Sequence, residues 1–207
     1  MIPPDDLTEQ PPGATPLSEE DLEGLIPTWV TTRADLNAVE AENILRARIW
    51  ALQSRRRPRD PDAVLHLDRL INLHRRMFGD VWRWAGKLRR RQTNIGVPAP
   101  QIATDTHALC LDVAAQIADQ SPAAWPPDEI AVRFHHRLVS IHLFPNGNGR
   151  HARLASDLLL RILDAEPTTW GATDLSADTD TRDAYLKALR EADGKGDYQP
   201  LLDFARS

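Results

Sequence analysis

The sequence predicts a mostly α-helical fold, and three observations support that prediction. Apolar residues recur at helical spacing in seven segments, most of them bounded by proline, glycine or a capping residue. Alternation typical of a strand is confined to about residues 87–97, beside Gly86 and Gly96. The 207 residues are enough for one domain with a sizeable core. We therefore expect a helical bundle that carries one short β-hairpin flap.

The helical segments follow one another along most of the chain. They cover about residues 36–50, 61–78, 101–117, 127–141, 150–162, 181–192 and 200–205. Residues 150–162 are apolar over a wide arc, so we expect that helix at the centre of the bundle. Residues 1–16 contain five prolines and few large apolar side chains, which predicts a mobile tail. The expected domains are an N-terminal extension over 1–30 and a main domain over 31–206.

Composition excludes several classes of protein. The net charge is −5, and the basic runs at 55–59 and 87–91 have no interleaved aromatic residues, so we expect no nucleic-acid partner. Cys110 is the single cysteine, which rules out an internal disulfide framework. No apolar run approaches the ~18–20 residues that span a bilayer. The acidic, proline-rich N-terminus lacks the features of a signal peptide, and we expect a cytoplasmic protein without membrane contact.

The segment from Ile141 to Arg153 contains the residues suited to chemistry. Pro145 and two glycines interrupt two strong helical patterns, so the segment is predicted to be helix, tight loop, helix. Glycines allow backbone N–H groups to converge on an anion, and the free N–H groups of the next helix add to them. Arg150 and Arg153 lie one turn apart at the same helix end. These features together predict a polyphosphate site.

His142 lies on the other side of this loop, at the end of the preceding helix. A neutral imidazole there would serve as a general base near neutral pH. A helix C-terminus favours the cationic form, which opposes that role. A metal site is disfavoured, because adjacent histidines on a helix point about 100° apart, and no carboxylate spacing completes a zinc set. The four histidines considered for such a site are His135, His136, His142 and His151.

The same segment resembles the signature of the Fic (Fic/Doc, or Fido) family, His-Pro-Phe-x-Asp/Glu-Gly-Asn-Gly-Arg-x-x-Arg. The matching positions are His142, Phe144, Gly147, Asn148, Gly149, Arg150 and Arg153. Residues 78–86, 94–96 and 197–201 are similar to the approach to the family's flap, to the flap and to the end of its domain, so the resemblance covers roughly residues 30–206. Residues 145–153 are also similar to the bacterial subgroup called mobile mystery protein B.

The resemblance implies a protein adenylyltransferase that moves AMP from ATP to a Ser, Thr or Tyr hydroxyl of an unknown target protein. His142 would take the hydroxyl proton. The loop amides at Gly147, Asn148 and Gly149 would hold the α-phosphate, with the Asn148 side chain helping to orient it. Arg150 and Arg153 would bind the β- and γ-phosphates.

The resemblance also implies a flap that holds the target as an added strand and a pocket for the adenine. The flap residues would be Arg91, Thr93, Asn94 and Ile95. Tyr185 and Asp193 fall near positions similar to the family's adenine pocket. The sequence leaves the oligomeric state open.

Two positions depart from the family pattern. Leu143 replaces the usual proline, and Asn146 replaces the Asp or Glu that holds Mg²⁺ in the family. An asparagine offers a carbonyl oxygen as a ligand for Mg²⁺ or Mn²⁺ but adds no charge. Asn146 therefore keeps two alternatives open. One is altered chemistry, namely phosphorylation, other nucleotidyl transfer or removal of AMP; the other is a non-catalytic binding protein or toxin–antitoxin partner.

Some Fic proteins are restrained by a glutamate on a neighbouring helix. The first helix here contains Glu40 and Glu42, and Glu42-Asn43 resembles the end of that inhibitory motif, although Ala38 stands where Ser or Thr is expected. One hypothesis is that Glu42, or with less support Glu40, pairs with Arg153 and blocks the γ-phosphate site. The alternative is that both acids belong to a solvated helix face.

Overall fold

The computed structural model describes residues 15–53, 60–171 and 179–207. These ranges contain eight α-helices: α1 Glu19–Glu23, α2 Arg33–Gln53, α3 Leu67–Phe78, α4 Ile102–Ala118, α5 Pro127–Ile141, α6 Asn148–Ile162, α7 Thr179–Lys195 and α8 Gln199–Arg206. Short 3₁₀ turns at Pro61–Ala63 and Ala99–Gln101 precede α3 and α4. The predicted mostly helical fold is confirmed. In the described part of the chain, no helix is long and apolar enough to cross a membrane.

Helix α6 lies at the centre of the bundle, as its wide apolar arc predicts. It packs against α5, α2 and α3. Ala152, Ala155, Leu159 and Leu160 on α6 have no exposed surface. A second apolar cluster joins α7 and α8 to one side of α5. Because α6 is held from several sides, its first turn is a fixed platform for whatever the preceding loop binds.

The expected hairpin is not present. Residues 87–97 form an extended and bent segment without a strand ladder, and the pairing found among the described residues is an isolated bridge between Leu25 and Trp82. The buried guanidinium of Arg89 takes the place of a ladder by bonding to the carbonyls of Arg91 at 3.1 Å and of Val97. A side chain therefore joins the two ends of the flap, and alternation along the sequence cannot indicate such a link.

Helix α1 and the residues before it were not predicted as ordered structure. Ser18 and Asp21 form a reciprocal capping box at the start of α1, and the Trp84 indole donates to the Asp21 carbonyl at 3.0 Å. Residues 1–14 of the expected mobile tail lie outside the described residues, whereas Thr15 is buried. The predicted extension over 1–30 thus includes a segment packed against the domain.

Candidate active site

The loop between α5 and α6 has a shape that only certain residues permit. His142 ends α5 in the left-handed region, with φ 59° and ψ 67°, and Gly147 precedes α6 with φ 78°. A Cβ on Gly147 would lie 2.6 Å from the ring of Phe78. Both the backbone angle and this close approach require glycine at position 147.

The Asn148 side chain fixes the loop from inside. Its Oδ1 accepts from the Phe144 N–H at 2.9 Å, and its Nδ2 donates to the Phe144 carbonyl at 2.8 Å. The side chain is buried. It was expected to orient the α-phosphate, but its amide is used to shape the loop, so its effect on a ligand is indirect.

The first turn of α6 offers backbone N–H groups to an anion. The first intrahelical bond runs from the His151 N–H to the Gly147 carbonyl at 2.9 Å, so the N–H groups of residues 148–150 precede it. A Cβ on Gly149 would have its nearest neighbour, the Tyr185 hydroxyl, at 3.7 Å. Packing therefore does not require a glycine at 149, and the missing side chain leaves space in front of a helix start that favours negative charge.

Arg150 and Arg153 both extend from this first turn. Arg150 Nη1 lies 2.7 Å from Glu40 Oε2, and the other oxygen of Glu40 accepts from the Trp82 indole at 2.7 Å. Arg153 lies beside Tyr185, with its guanidinium carbon 5.6 Å from the centre of the phenol ring. Burial lowers the pKa of Arg153 and raises the pKa of Tyr185. Two cations thus flank the free N–H groups of α6.

His142 is a buried, neutral imidazole. Its pKa is about 4, chiefly because burial penalises the charged ring and also because the Arg89 guanidinium is close; the Val139 carbonyl acts in the opposite direction. The expected stabilisation of a cation by the C-terminus of α5 is therefore outweighed. Its Nε2 lies 2.8 Å from the hydroxyl of Thr15. The ring has the charge state that a general base needs, and it already contacts a hydroxyl.

Arg89 holds the backbone around His142 in place. Its Nε donates to the His142 carbonyl at 2.6 Å, its Nη2 donates to the Ile141 carbonyl at 3.2 Å, and its own N–H donates to the Leu143 carbonyl at 3.0 Å. The residue is 3% exposed. The sequence places Arg89 in a basic run with the character of a surface cluster, and nothing in that run distinguishes the buried arginine from its exposed neighbours.

His74 supports the other side of the loop and was also missed. Its Nδ1 accepts from the Gly86 N–H at 3.0 Å, so Nε2 carries the proton and donates to the Asn146 carbonyl at 3.1 Å. Burial keeps the pKa of His74 well below its ordinary value. The ring stacks on Phe144 with centroids 3.7 Å apart. The sequence places His74 on the apolar face of α3, which indicates burial. It does not distinguish a residue that supports the loop from an ordinary core residue.

The Asn146 amide is hydrogen-bonded at both of its polar atoms. Its Oδ1 already accepts from the Gly147 N–H at 2.7 Å, and its Nδ2 donates to the Thr15 carbonyl at 2.9 Å. Mg²⁺ is held mostly by carboxylates, water and phosphate oxygens. The described ranges contain no group of three or more His, Cys, Asp and Glu residues that could hold an ion. Asn146 therefore offers a metal ion one neutral oxygen, which already accepts a hydrogen bond.

The four histidines of the metal hypothesis have separate partners. His135 Nε2 lies 2.9 Å from the Tyr185 hydroxyl, and His136 Nε2 lies 2.8 Å from Asp193. His142 contacts Thr15, and His151 Nε2 donates to the Leu70 carbonyl at 3.0 Å. They do not converge.

Several predicted site residues lie elsewhere than expected. Glu42 is exposed, with an oxygen 3.9 Å from Arg46, so it does not reach Arg153. Glu40 is the buried acid, and its partner is Arg150 rather than Arg153. These partners follow from the helical phase of α2, because residues two apart point to nearly opposite sides of a helix. The hypothesis that Glu42 pairs with Arg153 is therefore wrong. Glu40 does reach an arginine of the motif, but that arginine is Arg150 and not Arg153.

The predicted adenine pair and the predicted flap are also rearranged. Tyr185 lies beside Arg153, but Asp193 is eight residues further along α7, about 12 Å by helical rise, where it pairs with His136. Arg91 forms an ion pair with Asp21 of α1 instead of facing outward. Ile95 and Asn94 of the flap are exposed.

Comparisons with known proteins agree with this architecture. Residues 64–160 match the Fic/DOC family. Protein adenylyltransferase fic-1 of Caenorhabditis briggsae is 29% identical over 141 residues, which are 68% of this chain and 26% of that protein. The chain thus spans about a quarter of the length of this curated relative.

Two solved bacterial structures show the same fold. The N-terminal Fic domain of a Bartonella effector protein (Bep) from Bartonella sp. AR 15-3 has a TM-score of 0.64 at 17% identity, over 91% of each chain. BepC from Bartonella tribocorum, with bound AMPPNP, has a TM-score of 0.60 at 18% identity, over 84% of this chain and 86% of that chain. The helical bundle described above is the Fic fold.

Proposed function

We propose that the Fic domain of this chain is a protein adenylyltransferase, which transfers AMP from ATP to a hydroxyl of a Ser, Thr or Tyr side chain on a target protein. The observation that carries the proposal is the geometry of one short loop. The loop has a neutral histidine in contact with a hydroxyl at one end and a helix start with two arginines at the other. The matched relatives named protein adenylyltransferase support the same reaction.

The start of α6 would bind the phosphates of ATP. The backbone N–H groups of Asn148 and Gly149 hold the α-phosphate, and the helix dipole favours the negative charge. The Gly147 N–H, also expected to contribute, instead donates to Asn146 Oδ1. Arg150 and Arg153 hold the β- and γ-phosphates as cations, through charge-assisted hydrogen bonds. This preorganised set of donors stabilises the charge that develops as pyrophosphate leaves.

His142 would act as the general base. It takes the proton of the acceptor hydroxyl at Nε2 while the oxygen attacks the α-phosphorus. Arg89 positions the ring through the carbonyls of residues 141–143, because these fix the left-handed backbone at His142. The residue is a positioning residue rather than a catalytic one.

Mg²⁺ or Mn²⁺ would enter as part of the substrate, bound to the phosphates of ATP. Asn146 contributes no charge to such an ion, so neutralisation of the phosphates falls mainly to the two arginines. Tyr185, next to Arg153, would line the nucleotide site, whereas Asp193 is too far along α7 to share that pocket with it.

The flap would present the target to His142. Asn94 and Ile95 are exposed and available for an extended peptide. Thr93, the third expected flap residue, is half-buried and donates its hydroxyl to the Ile95 carbonyl, and Arg91 is held by α1. We also propose that the domain spans residues 31–206, that the protein is cytoplasmic and that it belongs to the mobile mystery protein B subgroup.

Asn146 favours one second candidate, a Fic-fold enzyme with altered chemistry such as phosphorylation, other nucleotidyl transfer or removal of AMP. The non-catalytic alternative would leave the neutral His142 and its hydroxyl contact without a purpose.

The proposal is tested by incubating the full chain with ATP labelled at the α-phosphate, alone and with cell lysate, beside the His142→Ala and Arg153→Ala variants. We expect label on protein with the unmodified chain, none with His142→Ala and strongly reduced label with Arg153→Ala. Equal labelling by the unmodified chain and His142→Ala would contradict the proposed role of the histidine.

A further inference from the structure

A hydroxyl of the chain itself occupies the position in which an acceptor is expected. Thr15 is 8% exposed, and its Oγ1 lies 2.8 Å from Nε2 of His142, although the two residues are 127 positions apart. The contact places a hydroxyl, the group that the proposed general base would deprotonate, at hydrogen-bond distance from that base.

The backbone on either side of that hydroxyl is held at defined points. Asn146 Nδ2 donates to the Thr15 carbonyl at 2.9 Å, and Arg91 Nη2 donates to the Pro16 carbonyl at 3.3 Å. Arg91 in turn pairs with Asp21 of α1. The segment is therefore bound as an extended peptide would be, through its carbonyls, by one side chain of the motif loop and one of the flap.

These contacts indicate why an asparagine, rather than the Asp or Glu of the family signature, suits position 146. A carboxylate at position 146 has no proton to donate and would face the Thr15 carbonyl oxygen with like partial charge. An asparagine amide donates to that carbonyl and accepts from the Gly147 N–H at the same time. The neutral amide is thus suited to holding a peptide backbone next to the base.

We propose that Thr15 is an acceptor site of this chain's own reaction and is adenylylated in cis. Thr15 Oγ1 attacks the α-phosphorus of ATP, so that an O–P bond forms as the bond from that phosphorus to the oxygen bridging to the β-phosphate breaks. The hydroxyl proton passes to His142 Nε2, and pyrophosphate leaves. The product is a threonine O-linked to AMP. This inference rests on the proposed function, because it uses the same base, nucleotide and phosphate site.

Thr15 also limits the access of other acceptors to His142. Since Thr15 lies against His142, a hydroxyl of another protein reaches the same nitrogen only when residues 15 and 16 move away. The tethered threonine therefore competes with external targets, and its replacement by a residue without a hydroxyl removes a competing acceptor.

The test uses the full chain with ATP and Mg²⁺, followed by intact mass measurement and by peptide fragmentation that locates the added group. The variants are Thr15→Ser, which keeps a hydroxyl, Thr15→Val, which keeps the shape without one, and His142→Ala. We expect one AMP on residue 15 in the unmodified chain and in Thr15→Ser, and none on residue 15 in the other two. The first-order rate constant for modification of residue 15 should not change on tenfold dilution, because the acceptor is in the same molecule.

A parallel reaction with lysate separates the two levels of the claim. Two outcomes would overturn Thr15 as the acceptor while the proposed function stands. In one, lysate proteins are labelled but Thr15 is not. In the other, lysate proteins are labelled and the Thr15→Val variant labels itself as strongly as the unmodified chain. A rate constant that falls in proportion to protein concentration overturns the cis reaction. Absence of label on every protein overturns both. Labelling of lysate proteins by Thr15→Val at a rate above that of the unmodified chain supports the competition.

Discussion

At the scale of single residues, the loop between α5 and α6 separates what the fold requires from what a ligand requires. Gly147 has a left-handed backbone and touches Phe78, so the fold needs it. Gly149 has an ordinary helical backbone and open space around its Cα, so the fold does not need it. The two positions provide a matched pair in which the same substitution should have opposite consequences.

Gly147→Ala is expected to lower the free energy of unfolding by at least about 1–2 kcal/mol, the cost of a left-handed backbone for a residue with a Cβ. Gly149→Ala is expected to leave stability unchanged or to raise it by up to ~1 kcal/mol through helix propensity, while weakening ATP binding because a methyl group enters the phosphate site. Urea unfolding and ATP titration measure the two effects. If Gly149→Ala binds ATP normally, the phosphates do not lie where we place them.

The low pKa of His142 predicts how the rate of AMP transfer falls at acid pH. A general base acts when it is neutral, and a pKa of about 4 keeps the ring neutral over the whole neutral range. Transfer should therefore fall only as the pH decreases towards about 4, and not with a midpoint near the ordinary histidine value of about 6.5. The ring signals of His142, assigned by comparison with His142→Ala, give the titration directly by NMR. A midpoint near the ordinary value would contradict the predicted shift.

At the scale of elements, the contact between α2 and α6 engages one of the two arginines that we propose to bind the phosphates. Glu40 of α2 is 6% exposed at its side chain and pairs with Arg150, which is 32% exposed. An ion pair in this setting competes directly with a phosphate for the same guanidinium. The contact is therefore a candidate restraint on nucleotide binding, at a different arginine from the one predicted.

Glu40→Gln is expected to tighten ATP binding by about tenfold, or ~1.4 kcal/mol. The glutamine oxygen still accepts from the Trp82 indole, but the negative charge that holds Arg150 is gone. Glu42→Gln is the matched control on the same helix, and it should have no effect because Glu42 is exposed and contacts only Arg46 among the described residues. Isothermal titration with ATP distinguishes the two. Weaker binding by Glu40→Gln would mean that Glu40 orients Arg150 instead of withholding it.

At the scale of the whole molecule, stability should depend on buried neutral histidines. Burial lowers the pKa of His74, His135, His142 and His151, with values of about 4 for the last two. An unfolded chain takes up protons at these positions below about pH 6.5, whereas the folded chain does not. Stability is therefore fully present above that pH and is lost as the pH falls towards the folded pKa values. Asp157, whose pKa is raised by burial, acts in the opposite direction.

Between about pH 7 and about pH 5, the free energy of unfolding is expected to fall by an amount on the order of 1–2 kcal/mol for each buried histidine with a lowered pKa. Urea unfolding at several pH values measures it. His151→Gln keeps a donor for the Leu70 carbonyl and removes one titrating group, so its stability should fall less steeply with decreasing pH. A slope identical to that of the unmodified chain would show that His151 takes no part.

The sequence predicts the parts of this molecule that depend on periodicity and on a contiguous motif. The central position of α6 and the loop between α5 and α6 follow from apolar spacing and from the two glycines. The contacts of Arg89, His74 and Thr15 could not be predicted, because each joins segments that are far apart in the sequence. The buried arginine and the acceptor-like threonine have no local pattern that marks them. The acid that reaches the motif, Glu40 rather than Glu42, depends on the rotation of α2 against α6.

The central proposal is that this chain transfers AMP, and the most direct test asks which phosphate of ATP becomes attached to protein. The full chain is incubated with ATP labelled at the α-phosphate in one sample and at the γ-phosphate in another, each beside His142→Ala. We predict protein-bound label from the α-position only, and none with the variant. Label from the γ-position alone would mean phosphorylation instead of AMP transfer. Label from neither position would contradict a transferase role for the loop between α5 and α6.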